Sequence, residues 1–138
     1  MADPPAGSSA DSTTGRPVIV VGYSSKAEGR AALDRAIAEA ALRSAELIVV
    51  SSAPDCDLEA VRAELGPSGV PYQVRAAAVD LDPAEDLINT AESASAEFIV
   101  IGLRRRSPVG KLLLGGNAQR VLLDAGCPVL AVKAAPNP

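Results

Sequence analysis

The residues best suited to chemistry lie between Phe98 and Lys133, in FIVIGLRRRSPVGKLLLGGNAQRVLLDAGCPVLAVK. An apolar run ends in Gly102, a loop carries Arg104, Arg105, Arg106 and Lys111, and the pair Gly115-Gly116 opens what reads as a helix. The first N–H groups of a helix have no partners within it, and together with the helix dipole they attract anions, phosphate above all. Gly115 and Gly116 lack Cβ, so a phosphate can approach the backbone closely, and Arg105 and Lys111 add positive charge. The chemistry on offer is therefore the binding of a phosphate-bearing ligand. The same glycines would also serve a tight turn with no ligand, and such patterns arise often by chance.

Other chemistries are narrowed by composition. The chain has no His, which removes the commonest general base and the commonest metal ligand. Ser-His-Asp and Cys-His sites cannot be built within it. Only a carboxylate or Lys remains as a base, and no paired set is visible, so the chain is expected not to be an enzyme. Cys56 and Cys127 match no metal-ligand spacing and read as two reduced, mostly buried thiols. Asp55, Asp57 and Glu59 read as a solvated helix start rather than a divalent-ion site. Arg104 to Arg106 form either a solvated loop or an anion site. A formal net charge of -4 and aromatics at 2% give neither the field nor the stacking surfaces of a nucleic-acid binder. Tyr23 reads as a pocket wall or as a strand-end aromatic. No segment is long and apolar enough to span a membrane, and the N-terminus lacks a charged-then-apolar signal pattern, so the cytoplasm is expected.

These residues need a frame to hold them. The 138 residues suit one domain with a core of its own. With hydrophobic residues at 48% and so few aromatics, that core must be aliphatic, as in helices packed on a parallel sheet buried on both faces. Residues 1–16, rich in Pro, Gly, Ser, Asp and Thr, read as a disordered tail, and 17–135 as the domain. Val18 to Val21, stopped by Gly22, predicts strand one. Ala32, Leu33, Ala36, Ile37, Ala40 and Ala41 mark an amphipathic helix from Lys26 to Arg43, with Ser24 or Ser25 as its cap. Leu47 to Val50 predicts strand two. Leu58, Val61, Arg62 and Leu65 predict about two helical turns ending at Gly66-Pro67. Tyr72 to Val79 predicts strand three, and Asp82-Pro83 the cap and first residue of a further helix. Phe98 to Ile101, ended by Gly102, predicts strand four. A polar loop from Arg104 to Lys111, a helix from Leu114 to Ala125 and strand five from Pro128 to Val132 complete the chain. Strands alternating with helices imply parallel βαβ units, whose ligands sit beyond the C-terminal strand ends, at Gly22 to Ser25 and Gly102 to Arg105.

The segment from Phe98 to Lys133 resembles the C-terminal signature of the universal stress protein family. Nucleotide-binding members carry Gly, two residues, Gly, nine residues, Gly and then Ser or Thr. Gly102 and Gly115 match the first and third glycines. The run Leu112 to Leu114, the ending Ala125 to Val132, and Val20-Val21-Gly22 followed by Ala31-Ala32-Leu33 are also similar to the family. The resemblance covers about Pro17 to Lys133. It implies a doubly wound five-stranded parallel sheet in the order 3-2-1-4-5 and an adenine-nucleotide pocket for ATP or AMP. Its contacts would come from Gly22, Tyr23, Ser24, Ser52, Gly102, Arg105, Gly115, Gly116 and Asn117. The motif is degenerate: Arg105 stands at the second glycine, Gly116 at the Ser/Thr, Ser24 at the acidic position after strand one, and Leu81-Asp82-Pro83 at the usual Gly-x-Pro. Arg105 is then either a phosphate ligand or a plug. Family members often pair through strand five, an apolar edge that is a liability unless covered, so Val129, Leu130, Ala131 and Val132 are expected at a homodimer interface. The competing reading is a nucleotide-free homodimeric interaction module. A response-regulator receiver, with Asp80 and Lys133 near strand ends, is excluded because Gly22 to Ser25 hold no acidic residue for Mg²⁺.

Overall fold

The computed structural model describes residues 15–51, 57–78, 80–106, 111–113 and 116–134. The tail expected over 1–16 lies outside them except for its last two positions. In chain order the elements are β1 (Val18–Tyr23), α1 (Ala27–Arg43), β2 (Glu46–Ser51), α2 (Leu58–Leu65), a 3₁₀ turn (Gly66–Ser68), β3 (Tyr72–Arg75), α3 (Pro83–Ala94), β4 (Phe98–Arg106), β5 (Lys111–Leu113), α4 (Gly116–Asp124) and β6 (Val129–Lys133). Five strands form a parallel sheet in the order β3-β2-β1-β4-β6. In strand sequence this is the expected 3-2-1-4-5, with β6 as the predicted strand five.

The central strands β1, β2 and the first half of β4 are buried on both faces because they are continuously aliphatic. Side chains alternate between faces, and β1 divides accordingly. Ile19, Val21 and Tyr23 join Leu47, Val49 and Val100 under α1 and α2. Val18 and Val20 join Ile48, Val50, Ile99 and Ile101 under α3 and α4. The α1 stripe is Ala32, Leu33, Ala36 and Ala40. Small residues there let the helix lie close to β4. A buried Glu39 interrupts the stripe. Arg35 at 2.6 Å and Arg43 at 3.0 Å compensate its charge, and the Arg43 hydrogen bond chiefly holds its carboxyl below the usual range.

Several boundaries differ from the sequence reading. Gly22 and Gly102 do not end their strands. Gly22 pairs with Val50, and Gly102 with Val132. Their missing Cβ atoms serve helix packing. A Cβ at Gly22 would lie 2.8 Å from Leu87 Cδ1 on α3, and one at Gly102 would collide with the backbone carbonyl of Glu28 on α1. α1 has Lys26 as its N-cap with no side-chain capping bond, so neither Ser24 nor Ser25 is the cap. Ser24 Oγ makes only a long contact, accepting from the Lys26 amide at 3.4 Å. β3 stops at Arg75, short of the predicted end at Val79, which lies outside the described residues; beyond the strand, the Ala78 amide donates to Asp86 Oδ2 at 3.1 Å. The polar loop is partly a β-ribbon: β4 continues to Arg106 and pairs antiparallel with β5, Arg104 opposite Leu113 and Arg106 opposite Lys111. This satisfies backbone groups that a bare loop would leave to water. α4 is described from Gly116; Leu114, where the sequence reading starts this helix, lies outside the described residues. The predicted cap of α3 holds, with Asp82 Oδ1 accepting from the Glu85 amide at 2.8 Å. α2 is capped in the same way by Asp57, whose Oδ1 accepts from the Ala60 amide at 3.1 Å.

The two strand glycines make a differential test. A methyl at Gly22 meets the end of a flexible leucine, whereas one at Gly102 meets main chain. Overpacking of this kind costs about 1–3 kcal/mol. Gly102→Ala is expected at or above the upper end and Gly22→Ala near the lower, measured by urea unfolding. Equal losses would show that α1 shifts away from β4 as readily as Leu87 changes rotamer.

Candidate functional site

The site is framed by connectivity. From β1 the chain crosses to β2 on one side, and from β4 to β6 on the other, so the β1 and β4 ends bound the crevice where α/β sheets take ligands. Three stretches lie at this end of the sheet. The β1–α1 turn carries Ser24, half-buried and folded back on the first turn of α1, so that a Cβ at Gly29 would strike both its backbone and its Oγ. The β4 end carries Arg104, whose Nε lies 3.5 Å from Glu28 Oε2. This pair joins α1 to β4 beside Gly102. The start of α4 carries Gly116 and Asn117, both exposed. A Cβ built on Gly116 meets none of the described residues within 4 Å.

The sequence-predicted site residues divide as follows. Gly22, Tyr23 and Ser24 come together at the end of β1, with Gly102 beside them in β4. Tyr23 is only 6% exposed and packs in the aliphatic core beneath α1, with the Arg30 guanidinium 6.0 Å from its ring centroid. Little of it faces solvent. Arg105 lies in β4 opposite Leu112. Gly116 and Asn117 stand at the start of α4. Ser52 and Gly115 lie outside the described residues, as do Cys56 and Asp55. Cys127 is a free, half-buried thiol whose pKa burial pushes up, in line with an inert cysteine. No group of three metal-ligating side chains occurs among the described residues, and no described helix is long and apolar enough to cross a membrane.

The structure adds charged residues that sequence reasoning missed. Arg30 reaches from α1 to Glu64 on α2 with two hydrogen bonds of 2.8 and 2.9 Å. Those bonds first, and Tyr23 second, push its guanidinium further above its ordinary value. Arg120 on α4 donates to Asp82 Oδ2 at 2.6 Å, tying the starts of α3 and α4 together. Partners this far apart leave no local signature. Glu28 is the one such residue with a partial signal, an acidic side chain in the first turn of a helix without a side-chain cap. A cavity of about 410 Å³ lies at the opposite, N-terminal end of the sheet, lined by Ala41, Ser44, Ser68 and Pro71 among others. It is remote from the crevice.

The comparisons with known proteins bear on this geometry. The universal stress protein family matches residues 55–133. A universal stress protein of Mycolicibacterium smegmatis is 46% identical over 127 residues, covering 84% of this chain and 97% of that protein. The chain belongs to the universal stress protein family. Among solved structures, a universal stress protein from Archaeoglobus fulgidus is 31% identical with a TM-score of 0.64, covering 86% of this chain and 98% of that one. A universal stress protein from Archaeoglobus fulgidus in complex with dAMP is 26% identical with a TM-score of 0.59, again covering 86% and 98%. The family's doubly wound sheet is thus the fold of this chain.

Asp82 offers a pH test of the α3–α4 tie. The Glu85 amide first, and then Arg120, hold its carboxyl below the usual aspartate range. A carboxyl lowered by folding stabilises the fold above its unfolded pKa, about 3.9, and that contribution is lost as pH falls through the lower folded value. Asp82→Asn keeps the capping oxygen and removes the charge. Its melting temperature is expected below that of the unsubstituted chain near neutral pH, with the two converging below about pH 4. A gap that persists undiminished into strong acid would show that the charge is not its source.

Proposed function

We propose that this universal stress protein binds an adenine nucleotide, ATP or AMP, weakly in the crevice between β1 and β4, and acts in the cytoplasm as a stress-response regulator rather than as an enzyme. The observation that carries the reading is the start of α4: Gly116 is exposed at the C-terminal side of the sheet, and none of the described residues occupies the space a side chain there would fill. Free N–H groups and the helix dipole favour a phosphate there. The dAMP complex of a similar family member supports the adenine preference.

Weakness follows from the altered anchors. Gly116 lacks the hydroxyl that would hold a phosphate, and Ser24 lacks the carboxylate that would hold the nucleoside. Each hydrogen bond lost to a charged group is worth about 1.5–3 kcal/mol, so two cost about two to four decades in affinity. Arg105 replaces one anchor or fills the pocket. Calorimetric titration with ATP and AMP, with and without Mg²⁺, decides between these. If Arg105 is a plug, Arg105→Gly with Gly116→Ser creates measurable ATP binding. If it is a ligand, Arg105→Gly alone weakens what binding there is. Tight ATP binding insensitive to Arg105→Gly would sink both versions.

The second reading, a nucleotide-free homodimeric module, is favoured by β6. This apolar strand pairs with β4 and ends the parallel sheet, with Val129, Leu130, Ala131 and Val132 each only partly buried. Exposed strand edges invite pairing. Sedimentation at micromolar concentration is expected to give a dimer, and Leu130→Glu a monomer. A monomeric unsubstituted chain would remove this reading.

A further inference from the structure

Asp86 is the buried charge for which the fold has least evident need. It is 3% exposed, on the first turns of α3 between Ala84 and Leu87, both of which pack on the sheet. Burying a carboxylate is costly unless hydrogen bonds compensate. Among the described residues, Oδ2 accepts from the Ala78 amide at 3.1 Å. Oδ1 has an ion-pair contact of 3.8 Å with Arg75 Nη2, too long for a hydrogen bond. Arg75 instead donates through Nη1 to Thr90 Oγ1 at 2.6 Å. An apolar side chain in the same place would avoid that desolvation cost, and Arg75, being exposed, can keep its charge in solvent. What it would lack is the bond to Ala78.

That bond has a structural consequence at the crevice. Ala78 lies in the connection from β3 to α3, at the C-terminal end of the sheet. β3 has already ended at Arg75, and Asp86 fastens the connection that follows it to α3. One residue later, Leu87 presses on Gly22 at the end of β1. One turn earlier, Asp82 caps α3 and holds Arg120 of α4. The start of α3 is therefore located from three sides, and the Asp86 contact is the one that involves the loop.

We propose that Asp86 is a positioning residue for the nucleotide crevice: through the Ala78 amide it holds the β3–α3 connection and sets the wall that α3 presents to the ends of β1 and β2. This inference rests on the nucleotide reading above. The ligand class is the same, an adenine nucleotide, and Asp86 acts on it through the loop rather than by contact.

Two variants separate positioning from stability. Asp86→Asn keeps an acceptor for the Ala78 amide and loses the charge. Asp86→Leu fills the volume and has no acceptor. ATP affinity of the full-length chain is read by NMR titration into the millimolar range, alongside amide exchange at Ala78 and the melting temperature. Asp86→Asn is expected to bind ATP within about twofold of the unsubstituted chain. Asp86→Leu is expected to bind about tenfold more weakly, with faster exchange at Ala78 and no matching fall in melting temperature. Thr90→Val, which breaks the Arg75 bond but not the Ala78 bond, serves as a control and should leave affinity unchanged. Unaltered affinity in Asp86→Leu overturns the proposal. So does an equal loss in Asp86→Asn, because the acceptor is then not what matters. If the unsubstituted chain binds no ATP even at millimolar concentration, the nucleotide reading itself falls, and the positioning role for a nucleotide falls with it.

Discussion

Much of the C-terminal end of this sheet depends on how closely α1 lies on β4. The carbonyl of Glu28 occupies the space that a side chain at Gly102 would need. Because the approach is main chain to main chain, it cannot be relieved by a rotamer change. It sets the level of the first turn of α1 against the end of β4. The same turn carries Glu28 toward Arg104 and supports the fold-back of Ser24 over Gly29. The glycine that opens the family's phosphate motif therefore has a packing duty in this chain, independent of any ligand.

A second constraint follows from the almost wholly aliphatic core, in which Tyr23 is the one buried aromatic among the described residues. Valine, leucine and isoleucine side chains pack the sheet on both faces without polar groups, so polar residues inside stand out. Glu39 is compensated by two arginines. Asp86 is compensated by a loop amide and a more distant arginine. These two buried carboxylates differ in their partners, and the difference assigns their roles. Glu39 neutralises charge along one helix, whereas Asp86 ties a helix to a connection at the mouth of the crevice.

The charged contacts around the crevice form a set of ties between elements distant in sequence. Arg30 joins α1 to α2, Glu28 joins α1 to β4, and Asp82 joins α3 to α4. Each is at least partly exposed, and such pairs contribute little stability individually. Their effect is geometric, since each fixes one helix start relative to another. Arg104 and Arg120 are two of the cations at this end of the sheet. Both are already held by carboxylates, which limits what they can offer an incoming phosphate.

By itself the sequence determined the architecture. Strand and helix periods, the Asp82-Pro83 start and the C-terminal signature are local patterns. A sheet buried on both faces must be written in continuous apolar runs, and a capped helix start needs particular residues side by side. Boundaries were less legible where a residue serves a distant neighbour. Gly22 and Gly102 look like strand ends because glycine commonly is, yet both are paired strand residues whose missing side chains accommodate a helix packed from elsewhere. The β4–β5 ribbon was missed because cationic residues read as loop. Only the tertiary structure decided that Tyr23 belongs mainly to the core, that Ser24 folds onto α1, and that Asp86 rather than a strand partner takes the Ala78 amide. These outcomes depend on which side chain meets which backbone across the sheet. Such distances are set once all elements have packed, and no local stretch of sequence encodes them.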